Sequence, residues 1–466
     1  MFLKIQRSSS IPMTKQIYDQ IKLLILSGDL EDDVCLPSSR KLSETLKISR
    51  NVVVEVYEML TAEGYTNSVR GSGVYVSKSI SISRPEAKGP LLKLPRIEDT
   101  VNLISFKVGN TALDKFPRNK WLKCYREGLS DLPDKELGYG PSNGYLPFRK
   151  TLKEYLLRSR GINCHEDQII ITSGTTQSLH LLTKYFSQLP GSILFEEPTA
   201  NTIRELLEIS HPNITYHPVD QEGIDPDTLP VDSNLSCILA TPSHQYPLGG
   251  SLTISRRVEL IRYARRHKCY IIEDDYDSEY RYDNAPVESL YELDPEHVIY
   301  VSSFSKILMP GIRIGYMVLP NNLIENLCHL KDILDVQCPI FIQAAMTNFI
   351  RKGYLEQHLV KTRKNYRRRR LILIQALNKR FGDKVNILGS QTGIHLVAEF
   401  HNINFTKEVI DKIKKAGVYI AGVSEHAAIP ENYSSHLLFG YGNIGEEEIE
   451  KGIEILHNCL KNEFVF

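Results

Sequence analysis

VIYVSSFSKILMPGIRIGYMV, residues 298–318, is the stretch on which the reading turns. β-branched residues fill Val298 to Val301, so the segment opens as a buried strand. It then runs into a loop of small hydroxyl residues holding Lys306, followed by Gly311, Arg313 and Gly315. A lone lysine after a strand is usually a surface residue. A lysine flanked by Ser303 and Ser305, with an arginine seven positions on, suits instead a Schiff-base lysine beside a phosphate. Ser303, Ser305 and Arg313 would bind that phosphate, the arginine through charge-assisted hydrogen bonds.

Three further segments extend the pattern. In CYIIEDDYDSEYRYD, residues 269–283, a buried strand from Cys269 to Glu273 carries an acidic pair and Tyr276 at its carboxyl end. Ligands of open α/β sheets gather at that end. A pyridine-ring cofactor acts as an electron sink only while its nitrogen stays protonated, which requires a carboxylate partner. Asp274 is the candidate for that partner, and Tyr276 for a bond to the ring hydroxyl. Paired acids could also hold a metal, but no histidine or third acid is seen at ligand spacing, so no metal is expected.

In DQIIITSGTTQSLHLLTKYF, residues 167–186, the strand Ile169 to Thr172 ends in Ser173-Gly174-Thr175-Thr176 and passes straight into a helix. Free N–H groups and the helix dipole favour an anion there, and Gly174 allows close approach. Gly174, Thr175 and Thr176 thus offer the second half of a phosphate cup. Alone the signal is weak, since many strand–helix turns carry Gly and Thr. ILATPSHQYPLGGSLTIS, residues 238–255, adds a strand and a Pro/Gly loop. Against the alternative of an ordinary turn, His244, Gln245 and Tyr246 are candidates to touch a cofactor ring.

From about residue 100 onward, short β-rich runs alternate with longer helical patterns, the signature of an α/β domain. SKSISISRPEAKGPLLKLPRIEDT, residues 77–100, lacks either period and reads as a linker. A chain of 466 residues suggests two to four domains at ~150 residues each. Lys+Arg and Asp+Glu both number 56, which excludes a generally basic nucleic-acid coat and an acidic disordered tail. Eight cysteines without a CxxC pair suit a reducing compartment. No apolar run approaches ~18 residues and the N-terminus lacks a signal-peptide core, so the expected location is cytoplasmic, with no membrane partner.

The unit before the linker has its own logic. Ile17, Ile21, Leu24 and Ile25 recur at helical spacing between Met13 and Leu26, with Gly28 closing the helix. In LPSSRKLSETLKISRNVVVEVYEMLTAEGY, residues 36–65, Ser38 caps a short helix with Leu42 and Leu46 inward. A turn over Lys47 and Ile48 follows. Ser49 then caps a second helix that buries Val53, Val56, Tyr57 and Leu60. Two such helices make a helix-turn-helix, whose second helix presents its first residues to base edges. Those residues are Ser49, Arg50 and Asn51; Arg40 on the preceding helix reaches phosphate. YTNSVRGSGVYVS, residues 65–77, reads as a hairpin wing with Arg70 and Gly71 at its tip. Residues 1–80 hold ten Lys/Arg against nine Asp/Glu, so placement rather than net charge carries the DNA reading.

The first unit resembles the winged helix-turn-helix of GntR-type bacterial regulators. SGTT, the Pro/Gly loop, EDDY and SFSK…R, in that order, resemble fold-type I aminotransferases, which bind pyridoxal 5′-phosphate (PLP). Their fusion, with HQYPLG, EDDYDSEY and RGINCHEDQIIITSGTTQ, is similar to MocR/GabR-type transcriptional regulators. The resemblance implies an α/β chain in three parts. Residues 1–78 form the winged helix, 79–100 a linker, and 101–466 the aminotransferase-like domain with a C-terminal small subdomain. It implies PLP on Lys306, a head-to-tail homodimer on double-stranded promoter DNA, and a small-molecule effector entering the PLP pocket. In YGPSNGYLPFRKTLKEYLLRSRGINC, residues 139–164, Tyr139 matches the tyrosine that reaches the neighbouring subunit's phosphate.

Two departures bear on the effector. Asn443 stands where aminotransferases place an arginine for the substrate carboxylate, and Ala200 replaces a frequent aromatic residue. Arg204 and Asn443 are the candidates for the effector end, and the effector is an amine, an amino acid or PLP itself. The missing arginine counts against the rival reading, a working aminotransferase with an appended DNA-binding domain. A third reading makes the large domain only a dimerisation scaffold. Arg367 to Arg370 wrap their helix instead of forming one stripe, and read as a solvated helix end before a supplementary DNA-facing patch.

Overall fold

The computed structural model describes residues 3–80, 103–231, 234–283 and 287–461. The chain divides into two compact units, residues 1–98 and 99–466. The predicted linker lies, from residue 81 on, outside the described residues.

In the first unit, α1 (Met13–Leu26) buries Ile17, Ile21 and Ile25. α2 (Ser39–Leu46) starts where the Ser38 side chain accepts from the Lys41 N–H at 3.2 Å. It stops at Lys47, whose φ of 53° turns the backbone left-handed and ends the helical bonding. Ser49 accepts from the Asn51 N–H and opens α3 (Arg50–Ala62), which buries Val53, Val56, Tyr57 and Leu60 as the spacing predicts. Leu46 is half-buried rather than inside. β1 (Thr66–Val69) and β2 (Gly73–Val76) pair antiparallel as the wing, with Arg70 and Gly71 in the turn between them.

The second unit is built on an eight-stranded sheet. Its strands are β3 (Ile169–Thr172), β4 (Ser192–Glu197), β5 (Ile214–Asp220), β6 (Gly223–Ile224), β7 (Leu235–Ala240), β8 (Tyr270–Asp275), β9 (Val298–Ser303) and β10 (Gly315–Val318). Their spatial order is β3-β10-β9-β8-β7-β4-β5-β6. The central strands β9, β8, β7, β4 and β5 run parallel, while β10 is antiparallel to both its neighbours. Almost every residue of β9, β8, β7 and β4 is buried, as a sheet covered on both faces requires, while β5 is largely half-buried or exposed. Their carboxyl ends deliver Asp274, Ser303 and the loops after β3 and β7 to one edge.

A second sheet carries the C-terminal subdomain, in the order β11 (Val385–Leu388), β12 (His395–Phe400), β14 (His436–Gly440), β13 (Ala421–Gly422). The 28-residue helix Tyr354–Phe381 leads into it. Arg367 to Arg370 lie within this helix, not at its end. Arg367 and Arg368 are exposed, but Arg369 and Arg370 are buried. Arg369 Nη1 donates to the Gly442 carbonyl and Arg370 pairs with Asp283. The solvated-end reading therefore fails for half the run, because helical rotation turns those two guanidinium groups inward. Among the described residues, no helix is long and apolar enough to cross a membrane.

Candidate functional site

A cavity of about 300 Å³ opens at the carboxyl edge of the large sheet. Thr175, Thr176, Tyr246, Asp274, Tyr276, Ser303, Ser305, Lys306 and Arg313 all line it, together with His395, Gly109 and Ala200. Four sequence segments separated by up to 140 positions thus meet around one space. Lys306 leaves the turn after β9, and its ammonium donates to the Gly109 carbonyl at 3.1 Å. Burial pulls its pKa below the usual lysine value, with Asp277 and Asp274 opposing that pull. Asp274, the last residue but one of β8, is only 5% exposed, and its Oδ1 has no hydrogen-bond partner among the described residues. Burial, aided by the neighbouring Asp275, pushes its carboxyl up to about 7. An orphan buried carboxylate is what a protonated ring nitrogen would satisfy.

The anion end is formed by helix α6 (Thr175–Phe186), which follows α4 (Arg118–Ser130) and α5 (Leu146–Arg160), and by the loop after β9. Gly174, with φ 120°, precedes α6, and a Cβ there would stand 2.9 Å from Arg313 Nη2. Any other residue would push the guanidinium aside. Gly109 is equally constrained, since a Cβ would meet Lys306 Nζ at 2.8 Å. Hydroxyls, helix N–H groups, an arginine, a lysine and an unpaired acid make a donor set that fits PLP, with phosphate at α6 and ring nitrogen at Asp274.

Other sequence candidates fall elsewhere. His244 is not on the cavity wall. Its Nδ1 lies 3.0 Å from the Asp277 carboxylate, and its carbonyl accepts from the Tyr276 hydroxyl at 2.9 Å. It stands behind Tyr276 and holds it. Gln245 is also off the wall, its amide spent on the Pro198 and Tyr246 carbonyls. Tyr246 alone of the three reaches the cavity, because the residues before the Tyr246–Pro247 step turn into the core.

Asn443 is exposed and away from the wall. Arg204 also stays off it, donating to Asn201 Oδ1 at 2.6 Å while Nη1 has no partner. Tyr139 is 91% exposed and far from lining its own chain's cavity. His395, which sequence reading missed, lies on the wall with burial holding its imidazole neutral. Asp277, a third acid, also went unseen; with His244 and His395 it forms a buried group whose ligand-type atoms lie within 4.8 Å. That group includes neither Asp274 nor Asp275, so it lies apart from the acidic pair.

In the first unit, Arg40, Ser49, Arg50, Asn51, Arg70 and Gly71 are all exposed. Arg50 Nε donates to Ser39 Oγ at 3.2 Å, tying the recognition helix to the start of α2. Ser38, Ser39, Val54, Glu58, Ser68 and Ser72 border one groove, so α2, α3 and the wing flank a common surface. Arg7 is a further cation the motif did not reveal. Gln16 and Gln20 bond the backbone of residues 4 and 6 to α1, and Arg7 Nη2 donates to the Lys47 carbonyl at the helix-turn-helix turn.

Residues 101–456 match the family Aminotransferase class I and II. The chain belongs to that family. Residues 13–76 match a second family, Bacterial regulatory proteins, gntR family. The combination is that of the MocR-like regulators. The HTH-type transcriptional regulator YdeL of Bacillus subtilis is 33% identical over 98% of both chains. The probable rhizopine catabolism regulatory protein MocR of Rhizobium meliloti is 29% identical over 98% of this chain and 96% of its own. Kynurenine aminotransferase of Pyrococcus horikoshii, a solved structure, superposes with a TM-score of 0.72 at 27% identity. It covers 78% of this chain and 92% of its own. This regulator therefore joins a gntR-type DNA-binding unit to a fold-type I PLP domain, and its function is PLP-dependent transcriptional regulation.

Proposed function

We propose that the regulator reads promoter DNA with its winged helix and sets that reading by what occupies the cavity around Lys306. The observation that carries this is the convergence of Lys306, orphaned Asp274 and Arg313 on the same chain as a gntR-type unit. PLP, when bound, supplies an aldehyde that reacts with amines. Lys306 would hold it covalently and Asp274 would keep the ring nitrogen protonated. Tyr276, braced by His244, would bond the ring hydroxyl, and Tyr246 would border the ring. Gly174, Thr175, Thr176, Ser303, Ser305 and Arg313 would take the phosphate.

On the DNA side, Arg50 and Asn51 would read bases, Ser49 would assist them, and Arg40, Arg70 and Gly71 would meet the backbone. The boundaries that suit this division are 1–78 for the DNA reader, 79–100 for the linker and 101–466 for the PLP domain. The regulator works in the cytoplasm as a head-to-tail homodimer, Tyr139 reaching the partner's phosphate. Supporting this, Leu122 and Leu129 on α4 (Arg118–Ser130), Leu137, and Ile333 and Leu334 are large apolar residues left exposed, as is Tyr139.

Catalytic turnover is not its role. Lys306 and Arg313 are the lysine and arginine of the described cavity wall, and both would be engaged by the cofactor, which leaves no arginine among those wall residues for a substrate carboxylate. The test is to incubate PLP-loaded protein with a panel of amino donors and keto acids, in parallel with footprinting of the DNA upstream of its gene. A footprint altered by an amine without multiple turnovers is the expected result. Repeated turnover would establish the aminotransferase reading instead.

A further inference from the structure

Around the carboxyl end of β8, three arginines are drawn into the protein, and they are treated unequally. Arg257 donates to three carbonyls, those of Leu252, Glu288 and Pro242, at 3.0, 2.9 and 2.7 Å. Arg160 sits 2.8 Å from the Asp275 carboxylate and donates to Ser243 Oγ. Among the described residues, the Arg281 side chain makes a 3.4 Å contact to Ser251 Oγ, and its Nε and Nη1 are shielded from solvent without a partner there. The charges acting on it are Arg160, which repels it, and Asp275, already paired with Arg160. A guanidinium left like this is costly, and native proteins rarely leave one so.

Arg281 borders two cavities besides the one around Lys306: a larger one whose charged lining is otherwise Asp220, Glu222 and Glu399, and one of about 360 Å³ rich in arginine. Its charged wall is Arg158, Arg160, Arg281 and Arg363 against Glu279 and Glu356. Arg363 spends two N–H groups on the Glu279 carbonyl, at 3.0 and 2.7 Å, which leaves its charge unanswered. Arg158 meets Glu356 only at 3.5 Å. Glu279 accepts from the Tyr155 hydroxyl, and burial raises its carboxyl above the usual range, with Asp275 adding to that shift. The wall carries surplus positive charge in a space of roughly a dozen waters at ~30 Å³ each. Planar guanidinium forks match the oxygens of phosphate and carboxylate.

We propose that this cavity is a second small-molecule site, taking a compact anion, a phosphate monoester or dicarboxylate, whose charged head pairs with Arg281. Arg160 borders this cavity and also holds Asp275, the residue next to Asp274, so the two cavities share one strand end. The proposal is independent of what the Lys306 cavity binds.

Calorimetric titration of the PLP-loaded full chain with pyrophosphate tests it. Saturable binding is expected, weakened at least tenfold in Arg281→Gln and several-fold in the rim variant Arg363→Gln, and equally tight at two concentrations of added PLP. Binding that PLP competes away would place pyrophosphate in the phosphate cup and overturn the proposal; independence of PLP separates the two sites, so failure of the PLP reading would not be mistaken for failure here. Circular dichroism checks that Arg281→Gln is folded, and exposed Arg363 gives a second handle if it is not. Absent heat, or equal binding in parent and both variants, overturns the proposal. So does weakened retention of duplex DNA in Arg363→Gln with pyrophosphate binding untouched, which would assign the arginines to nucleic acid.

Discussion

The DNA-reading unit and the Lys306 cavity use their charged residues in opposite ways. Arg40, Arg50 and Arg70 stand in solvent, bonded at most to a neighbour such as Glu44 or Ser39. Asp274 and Lys306 are buried among groups that push their proton affinities off the usual values. A surface reader can lose a contact residue and keep its fold. A buried site cannot be changed so cleanly, because its functional groups also set local stability. Substitutions in the two regions should therefore differ in kind as well as in size.

The largest effect is expected at the cavity. Lys306→Ala should abolish the visible absorbance of lysine-bound PLP, while circular dichroism and non-specific DNA retention stay at the parent's level. A visible band retained in this variant, and converted by borohydride into a near-ultraviolet pyridoxyl absorbance that stays with the denatured chain, would move the covalent attachment elsewhere. Asp274→Asn should come next, since it leaves the ring nitrogen without its anion, and PLP retention on dialysis should fall steeply.

The same variant carries a pH signature. Asp274 titrates near 3.8 when unfolded and about 7 in the fold, so the native state holds the extra proton between those values. Its stabilising contribution is fully present below about pH 4 and is lost as pH rises through about 7. Without PLP, Asp274→Asn should match the parent's thermal midpoint at low pH and exceed it at pH about 8. A flat difference across that range would show that Asp274 is not buried as a strained acid.

Much of this was readable from the chain, for a physical reason. The strand–loop segments at Lys306, Asp274 and Gly174 each carry local chemistry, and parallel sheets bring strand ends together whatever lies between. The helix-turn-helix was readable because caps and apolar spacing are local signals. What sequence could not supply was rotation about a loop or arrival from afar. Tyr246 faces the cavity while His244, two residues away, faces Asp277. His395 enters from a strand 89 positions beyond Lys306, flanked by ordinary apolar residues. Arg369 and Arg370 carry the same letters as Arg367 and Arg368, and only the helix's packing separates buried from exposed.

At the surface reader the effects should be smaller and cleaner. Arg50→Ala should weaken specific operator binding by ~1–3 kcal/mol if its guanidinium reads a base. Its thermal midpoint should stay at the parent's value, since the exposed side chain's one described bond is to Ser39 Oγ at 3.2 Å. An equal loss on operator and random DNA would make Arg50 a backbone contact.

Ser49 is where the comparison blurs, and it carries the smallest expected effect. Its hydroxyl accepts from the Asn51 N–H at 3.3 Å and so caps the recognition helix, yet it is also exposed at the base-reading end. Ser49→Ala removes both roles and should cost about 1 kcal/mol of stability along with some operator affinity. Ser49→Gly separates them. Glycine is tolerated at an N-cap at a cost of only a few tenths of a kcal/mol, but it has no hydroxyl to offer DNA. If the glycine variant regains the melting temperature and the operator affinity together, Ser49 acts only by starting the helix. If it regains stability but not affinity, the hydroxyl touches DNA. Even a surface reader would then have one residue that serves fold and function at once.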